Sequence, residues 1–363
     1  MKEKSLQQVK IGIIGTGVIS ELHLRAYEKI LETEVVALCD LNEQAVTAKA
    51  KKWGIQKIYS DFNELLTDSE IDAVEVLTPQ QTHKEITVAA IKAGKHVSVQ
   101  KPMAVTMHEV NEMVIAAEGS SKVARVYENF RFYPAILKAK ELIENGEIGE
   151  PLSIRFKLTN GIGAKGDFAH KKSETWNRRM EIDMSGGGAV TFDHGYHIFT
   201  LARDFIGEVE SVFAWIGKKK DRNGYIWDSP AMISWRYKGK DKFGVWEQVW
   251  GDDLFIKTKY YAGEDRIEIT GSRGIIWVTK CTAEFWDVPS LVLYRDGKLT
   301  SFHDLETDWQ SSFDGSTRNF IDSVLGKAEP ELSFEDGRDV QRMTIAVKKS
   351  GDKKRIVNIA EVV

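Results

Sequence analysis

The sequence predicts an α/β chain of two domains: a parallel sheet covered by helices, then an α+β domain with a large, mostly antiparallel sheet. Three observations predict it. At 363 residues the chain exceeds what one ordinary core organises. Strand-like and helix-like segments alternate through about residue 145, which requires a parallel sheet covered on both faces. Beyond about residue 150, runs rich in β-branched and aromatic residues follow one another between Gly, Asp, Asn and Lys, with few helical stretches.

The elements follow in order. VKIGIIG (9–15) reads as the first strand, followed by a helical pattern over 19–30. EVVALCD (34–40) is a second strand, and LNEQAVTAKAKKWG is a helix closed by Gly54. DAVEVLT (72–78), HVSV (96–99) and KVARVYEN (122–129) extend the series, so residues 1–128 are assigned to the first domain and 129–363 to the second. In the second domain SIRFKLT, SVFAWIG, AMISWRY, DRIEIT and GIIWVT read as strands. Helices are expected near 188–206, 311–325 and 335–348.

Composition excludes several classes. An apolar fraction of 42% argues against disorder, and a net charge of −4 offers no basic field for nucleic acid. The KKKDR run at 218–222 is most simply a solvated loop. No segment approaches the roughly 18 consecutive apolar residues of a membrane span. The polar N-terminus leads directly into a strand, so no secretory signal is expected. Cys39 and Cys281 lie in apolar or strand-like runs and read as reduced core thiols. A cytoplasmic protein with neither nucleic-acid nor membrane partners is the expectation.

GTGVIS (15–20) follows the first strand and opens the first helix. Gly15 allows a tight turn and Gly17 lets the backbone approach a pyrophosphate at the helix N-terminus. Gly15, Gly17, Val18 and Ile19 are therefore assigned to a dinucleotide, on what is then a Rossmann domain. Asp40 ends the second strand, about 20 residues on, where a carboxylate binds the ribose hydroxyls. Its ordinary reading, a helix cap, is weaker in this context. Leu41, Asn42 and Glu43 supply no cation for a 2′-phosphate, so NAD is favoured over NADP. LTPQQTH (77–83) and VQKP (99–102) end two further strands. Thr78, Pro79, His83, Gln100 and Lys101 thus join the cofactor set, since ligands bind beyond the carboxyl ends of such strands. His83 has a plainer reading as a structural residue at a helix start.

These residues resemble a known family. The first-strand G-x-G-x-x-S, the T-P-x-x-x-H after the fourth strand and A-G-K-H-V-x-x-x-K-P are similar to motifs of the glucose–fructose oxidoreductase / inositol dehydrogenase / rhizopine catabolism family. RFYPAI (131–136) and ELIENGEIGEP (141–151) resemble its lead into the second domain. SGGGAVTFDHGYHIF (185–199) resembles its G-G-G-x-x-x-D-x-G-x-H signature. The resemblance covers both domains and implies a nucleotide-binding Rossmann domain plus an open antiparallel sheet that often buries its face in a homo-oligomer. Two departures stand out: Gln100 replaces the family's usual Glu before Lys-Pro, and Gln80 replaces a frequent Asn. Gln100 keeps hydrogen-bonding capacity but removes a charge beside Lys101.

Asp193 and His197 are four apart, so on a helix they share one face. The functional reading makes His197 the general base for a substrate hydroxyl, Asp193 its orienting carboxylate, and Lys101 the group that steadies the developing alkoxide. This resembles the family's assignment at these positions. The ordinary reading is a surface Asp–His pair. His194 raises a His–His–Asp metal site, but no cysteine or further carboxylate cluster accompanies it, so no metal is assigned. His194 instead contacts substrate or faces solvent. Within SETWNRR (173–179), Trp176 suits stacking on a sugar ring, while Asn177 and Arg178 suit hydrogen bonds to hydroxyls. Asn129 joins the substrate set, and Lys157, Asn160 and Asp167 are weaker members. Trp215, Trp235, Trp246, Trp250 and Trp277 fall within strand patterns and are expected on a sheet face buried by another subunit.

The leading expectation is an NAD-dependent dehydrogenase of a ring secondary alcohol: a cyclitol such as inositol, a free sugar, or a glycoside oxidised at C3. One alternative is a glycosidase that retains NAD and cleaves by transient oxidation and elimination. Another is a non-catalytic nucleotide sensor or repressor. The presence of Lys101, Asp193 and His197 together counts against the last.

Overall fold

A computed structural model describes residues 8–163, 188–220, 224, 226–239, 241–284 and 287–363. The chain forms two compact units. One comprises residues up to Asn129 with Phe313–Asp339, the other Phe130–Ser312 with Val340–Val363.

In the first unit six strands form one sheet: β1 (Val9–Ile14), β2 (Thr33–Cys39), β3 (Lys57–Tyr59), β4 (Ala73–Val76), β5 (His96–Gln100) and β6 (Ala124–Tyr127). Their order is β3-β2-β1-β4-β5-β6, with every pair parallel. Helices α1 (Ser20–Glu28), α2 (Glu43–Trp53), α3 (Phe62–Thr67), α4 (His83–Lys92) and α5 (Met107–Ala117) connect them. β4 is buried at every residue and β1 and β5 at all but one, as helices on both faces demand. Local chemistry sets the helix ends. Asn42 accepts the Ala45 N–H at the start of α2, Gly54 closes it at φ 70°, and Thr106 and Glu109 form a capping box on α5. Ile11, Ile13, Leu24, Leu38 and Val46 pack in the core with Phe320 and Ile321, which return from the helix Trp309–Val324. The strand order reverses between β1 and β4, the switch point at which such sheets bind ligands.

The second unit adds α6 (Pro134–Glu144), β7 (Pro151–Ile162), α7 (Gly195–Ile206), β8 (Val209–Ile216) and a ribbon of β9 (Lys219–Lys220) with β10 (Ile226–Trp227). β11 (Ala231–Tyr237), β12 (Phe243–Phe255), β13 (Gly263–Gly271), β14 (Gly274–Val278), β15 (Leu291–Arg295) and β16 (Lys298–Phe302) follow. In chain order there follow α8 (Trp309–Val324), which from Phe313 belongs to the first unit, α9 (Phe334–Lys353), which belongs to the second from Val340, and β17 (Val357–Asn358). Nine strands form a mixed sheet of order β16-β15-β14-β13-β7-β12-β11-β8-β17, antiparallel throughout except for the β7–β12 pair. β12, β15, β16 and β17 of this sheet are additional to the strands read from the sequence. Lys219 and Lys220 of the basic run lie in the β9–β10 ribbon, not in a loop.

Period-2 alternation separates the two faces of this sheet. Trp235 and Trp246 are buried, with the Phe199 ring of α7 edge-on at 5.5 and 6.4 Å. Both lie inside their own unit, which corrects the expectation that all five strand tryptophans meet another subunit. Trp215 pairs with Met232, three residues from Trp235 and therefore on the opposite face, where it is 60% exposed. Trp250 stacks on Trp227 at 4.5 Å, and Trp277 donates to Glu268 at 2.7 Å.

Candidate active site

In the first unit the dinucleotide turn follows β1. Gly15 adopts φ 98°, and a Cβ there would lie 2.7 Å from the Leu77 carbonyl carbon, so only glycine fits against the β4 end. At Gly17 a Cβ would meet nothing within 4 Å. The first glycine therefore serves the fold, and the second leaves room for a ligand. Val18 is exposed at the turn, and Ile19 precedes α1. Ser20, third in the motif, is buried and donates to the Gly17 carbonyl at 2.7 Å, so it braces the turn. Asp40 Oδ2 accepts from the Thr16 N–H and hydroxyl at 2.7 and 2.9 Å, and Oδ1 from the Asn42 N–H at 3.0 Å. The carboxylate is thereby fixed at the β2 end. These residues fit a dinucleotide cofactor.

The Thr-Pro and Lys-Pro turns are tied together by His83, which is fully buried at the start of α4. Its Nε2 lies 2.8 Å from the Thr78 carbonyl and its Nδ1 3.0 Å from that of Pro102. Pro79 precedes a short helical turn, Gln80–Thr82. Lys101 is half-buried, follows β5 directly and is joined to Pro102 by a cis peptide. Gln100 is buried and accepts the Lys101 backbone N–H at 2.9 Å. Asn129 is buried just after β6.

In the second unit Gly188 leads into a π-helical turn, Ala189–His194, that runs directly into α7. Gly188 adopts φ 124°, and a Cβ there would clash with the Asp228 carboxylate at 2.3 Å. That carboxylate accepts from the N–H groups of Val190 and Thr191 and from the Thr191 hydroxyl, which pins the start of the turn. Burial nevertheless raises its pKa above the ordinary carboxylate value. Gly195 lets the Trp246 indole approach to 3.2 Å of where a Cβ would stand. The glycines of the signature thus shape the turn that carries Asp193, His194 and His197.

His197 is buried and its ring stacks on Phe130 at 3.9 Å. His194 meets Phe130 edge-on at 5.6 Å and pairs through Nε2 with Asp265 of β13 at 3.0 Å. Arg131 forks onto Asp204 of α7 at 2.6 and 2.7 Å, which anchors the neighbouring Phe130. Asp193 is buried in the π-helical turn. Lys157 pairs with Glu247. Trp176, Asn177, Arg178 and Asp167 lie outside the described residues. Among the described residues no group of three or more His, Cys, Asp or Glu could hold a metal ion. Cys39 and Cys281 are buried free thiols.

Sequence reasoning missed Phe130, Asp228 and Asp265, which lie 67 residues before and 31 and 68 residues after His197 in the chain. Only RFYPAI, read as a domain lead-in, pointed near one of them.

Residues 9–128 match the family described as an oxidoreductase family with NAD-binding Rossmann fold, and residues 136–277 match the GFO/IDH/MocA C-terminal domain. The chain is 29% identical, over 98% of its length, to the whole of the myo-inositol 2-dehydrogenase of Thermotoga maritima. It is 29% identical to the levoglucosan dehydrogenase of Pseudarthrobacter phenanthrenivorans over 60% of this chain and 57% of that protein. The crystal structure of a probable dehydrogenase from Thermotoga maritima matches at TM-score 0.77 and 28% identity, covering 98% of this chain and 100% of that one. A levoglucosan dehydrogenase in complex with NADH and levoglucosan has the same fold, at TM-score 0.81 and 23% identity over 97% of this chain and 100% of its own.

Proposed function

We propose a dehydrogenase of polyhydroxylated rings, starting from what is established: the chain belongs to the GFO/IDH/MocA oxidoreductase family, with an NAD-binding Rossmann fold at residues 9–128 and the family's C-terminal domain at 136–277. The substrate we infer is a ring secondary alcohol of a cyclitol, a free sugar or a glycoside. Relatives named for myo-inositol and levoglucosan support that class.

With Gly15 shaping the turn, Gly17, Val18 and Ile19 would hold the pyrophosphate, Asp40 the ribose hydroxyls, and the turns at Thr78 and Lys101 the nicotinamide end. NAD, when bound, would supply the hydride acceptor for the alcohol carbon. His197 takes the hydroxyl proton, Asp193 supports the resulting imidazolium, and Lys101 stabilises the developing alkoxide. Phe130 fixes the plane of the His197 ring by stacking on it. His194, held by Asp265, is available to a neighbouring substrate hydroxyl. We assign NAD over NADP because the fixed Asp40 carboxylate is followed by Leu41, Asn42 and Glu43, none of which neutralises a 2′-phosphate.

The observation that carries the reading is the His197 turn. A histidine buried on an aromatic ring, entered through a glycine that only an Asp228-pinned turn requires, is not an incidental surface pair. The test is the near-ultraviolet spectrum of the purified protein with NAD and a panel of inositols, hexoses and glucosides. A reduced-nicotinamide band with one class supports the reading and names the substrate type; no band with any member refutes it.

We also propose that the sheet face bearing Trp215, Met232 and Phe243 joins copies of the chain. These three are 60, 44 and 54% exposed, more apolar surface than a lone sheet face usually presents to water. Sedimentation of the purified chain tests this.

A further inference from the structure

Behind the lysine turn lies a polar chain that the proposed mechanism does not use. His23 of α1 and Glu75 of β4 are both completely buried, and His23 Nδ1 lies against a Glu75 carboxylate oxygen. His23 Nε2 lies 3.3 Å from Gln100 Nε2, and Gln100 Oε1 accepts the Lys101 backbone N–H. The Tyr127 and Phe313 rings wall the imidazole at 4.2 and 5.3 Å. The Arg125 guanidinium, fully buried over the Tyr127 ring, supplies a compensating positive charge.

The donor and acceptor roles resolve in one way only. The Lys101 N–H can only donate, so the oxygen of Gln100 faces it and the amide nitrogen faces His23. That nitrogen also can only donate, so His23 Nε2 must carry a lone pair. The single imidazole proton is then on Nδ1, the nitrogen that lies against the Glu75 carboxylate. A glutamate at position 100 would place a second acceptor against Nε2 and require a second proton on the ring. Total charge would be unchanged, because the new carboxylate and the new imidazolium cancel.

We infer that Glu75, His23 and Gln100 form a positioning relay that holds the Lys101 backbone, with His23 as a neutral Nδ1–H imidazole matched to glutamine at position 100. It ties the helix that opens at the dinucleotide turn to the strand end that carries the lysine. Its catalytic consequence rests on the role proposed for Lys101; the tautomer does not.

The test is nitrogen NMR of the unliganded protein labelled at its eight histidines, with the His23 ring nitrogens assigned through their bonded carbons. One protonated and one unprotonated nitrogen, the latter Nε2, is expected in the native chain. Two protonated nitrogens, or a bare Nδ1, overturns the relay. In Gln100→Glu both nitrogens should become protonated; an unchanged His23 signal also overturns it. Gln100→Leu, which cannot bridge, should lower kcat up to about a hundredfold while KM for NAD stays within threefold, as a displaced but intact group does. Gln100→Glu should retain kcat within tenfold. Native kcat in Gln100→Leu, with Lys101→Ala inactive, refutes positioning and leaves the proposed function standing. Native kcat in Lys101→Ala refutes the proposed function, whatever His23 shows. If Gln100→Leu does not fold, the native and Gln100→Glu spectra still decide the tautomer.

Discussion

The two sheets put their chemistry in different places. The parallel sheet of the first unit is covered on both faces, and its candidate site residues gather beyond strand ends: Gly15 after β1, Asp40 after β2, Thr78 after β4 and Lys101 after β5. The mixed sheet of the second unit alternates its residues between two faces. Its covered face carries α7 and the His197 turn, with Trp235 and Trp246 beneath, and its other face is left with large apolar side chains in water. In a doubly covered sheet the strand interiors are committed to packing and only the termini are available for ligands. In a singly covered sheet, each strand serves two purposes through alternate residues.

The largest effect expected from this division is on turnover. Lys101→Ala and His197→Ala should each lower kcat by about 10²–10⁴-fold, the range of a lost proton-transfer or alkoxide-stabilising group, while NAD titration stays near native. Loss of NAD binding in His197→Ala would break the comparison, because the second unit would then serve the cofactor. The next largest is on stability. Trp246→Ala on the covered face should cost about 3–5 kcal/mol in denaturant unfolding. Trp215→Ser on the other face should stay within about 0.5 kcal/mol for the isolated chain and show itself in sedimentation. Equal costs would mean the faces are not distinct.

Acid sharpens the comparison by acting on β5. His96 Nδ1 accepts the Val123 N–H at 3.0 Å, which requires the neutral ring, and burial, reinforced by Lys122, lowers its pKa to about 4. A folded-state pKa below the ordinary value stabilises above about pH 6.5, and that contribution is lost as pH falls through about 4. Unfolding free energy should therefore decline by at most about 3 kcal/mol over that window, and His96→Gln should flatten the decline. The most selective effect separates the two turn glycines. Gly15→Ala should destabilise by about 1–3 kcal/mol, from its positive φ and the Leu77 backbone. Gly17→Ala should leave the unfolding midpoint near native and weaken NAD binding in calorimetry.

Much of the first unit was legible because its signals are local. The G-T-G turn, the cap at Asn42, Gly54 and the apolar strands each act within a few residues of where they are read. The His197 turn was legible as a motif but not as an environment. Phe130, Asp228 and Asp265 arrive from other elements, and no periodicity links a strand carboxylate to a helix histidine many residues away. β12 was missed because Gly244, Glu247, Gly251, Asp252 and Asp253 interrupt an otherwise aromatic run. Gly244 is there for a tertiary reason: a Cβ would stand 2.0 Å from the Trp235 ring.

Phe320 and Ile321 complete the core around β1, although almost two hundred residues of the other unit separate them from β6. During synthesis the nucleotide-binding unit is therefore the first to leave the ribosome and among the last to be finished. Until the helix bearing these two residues emerges, part of its apolar surface has no native cover. That is the interval in which a nascent chain meets chaperones or neighbouring chains. Substitutions at Phe320 should consequently reduce the yield of folded protein in cells more than their cost to the finished structure suggests.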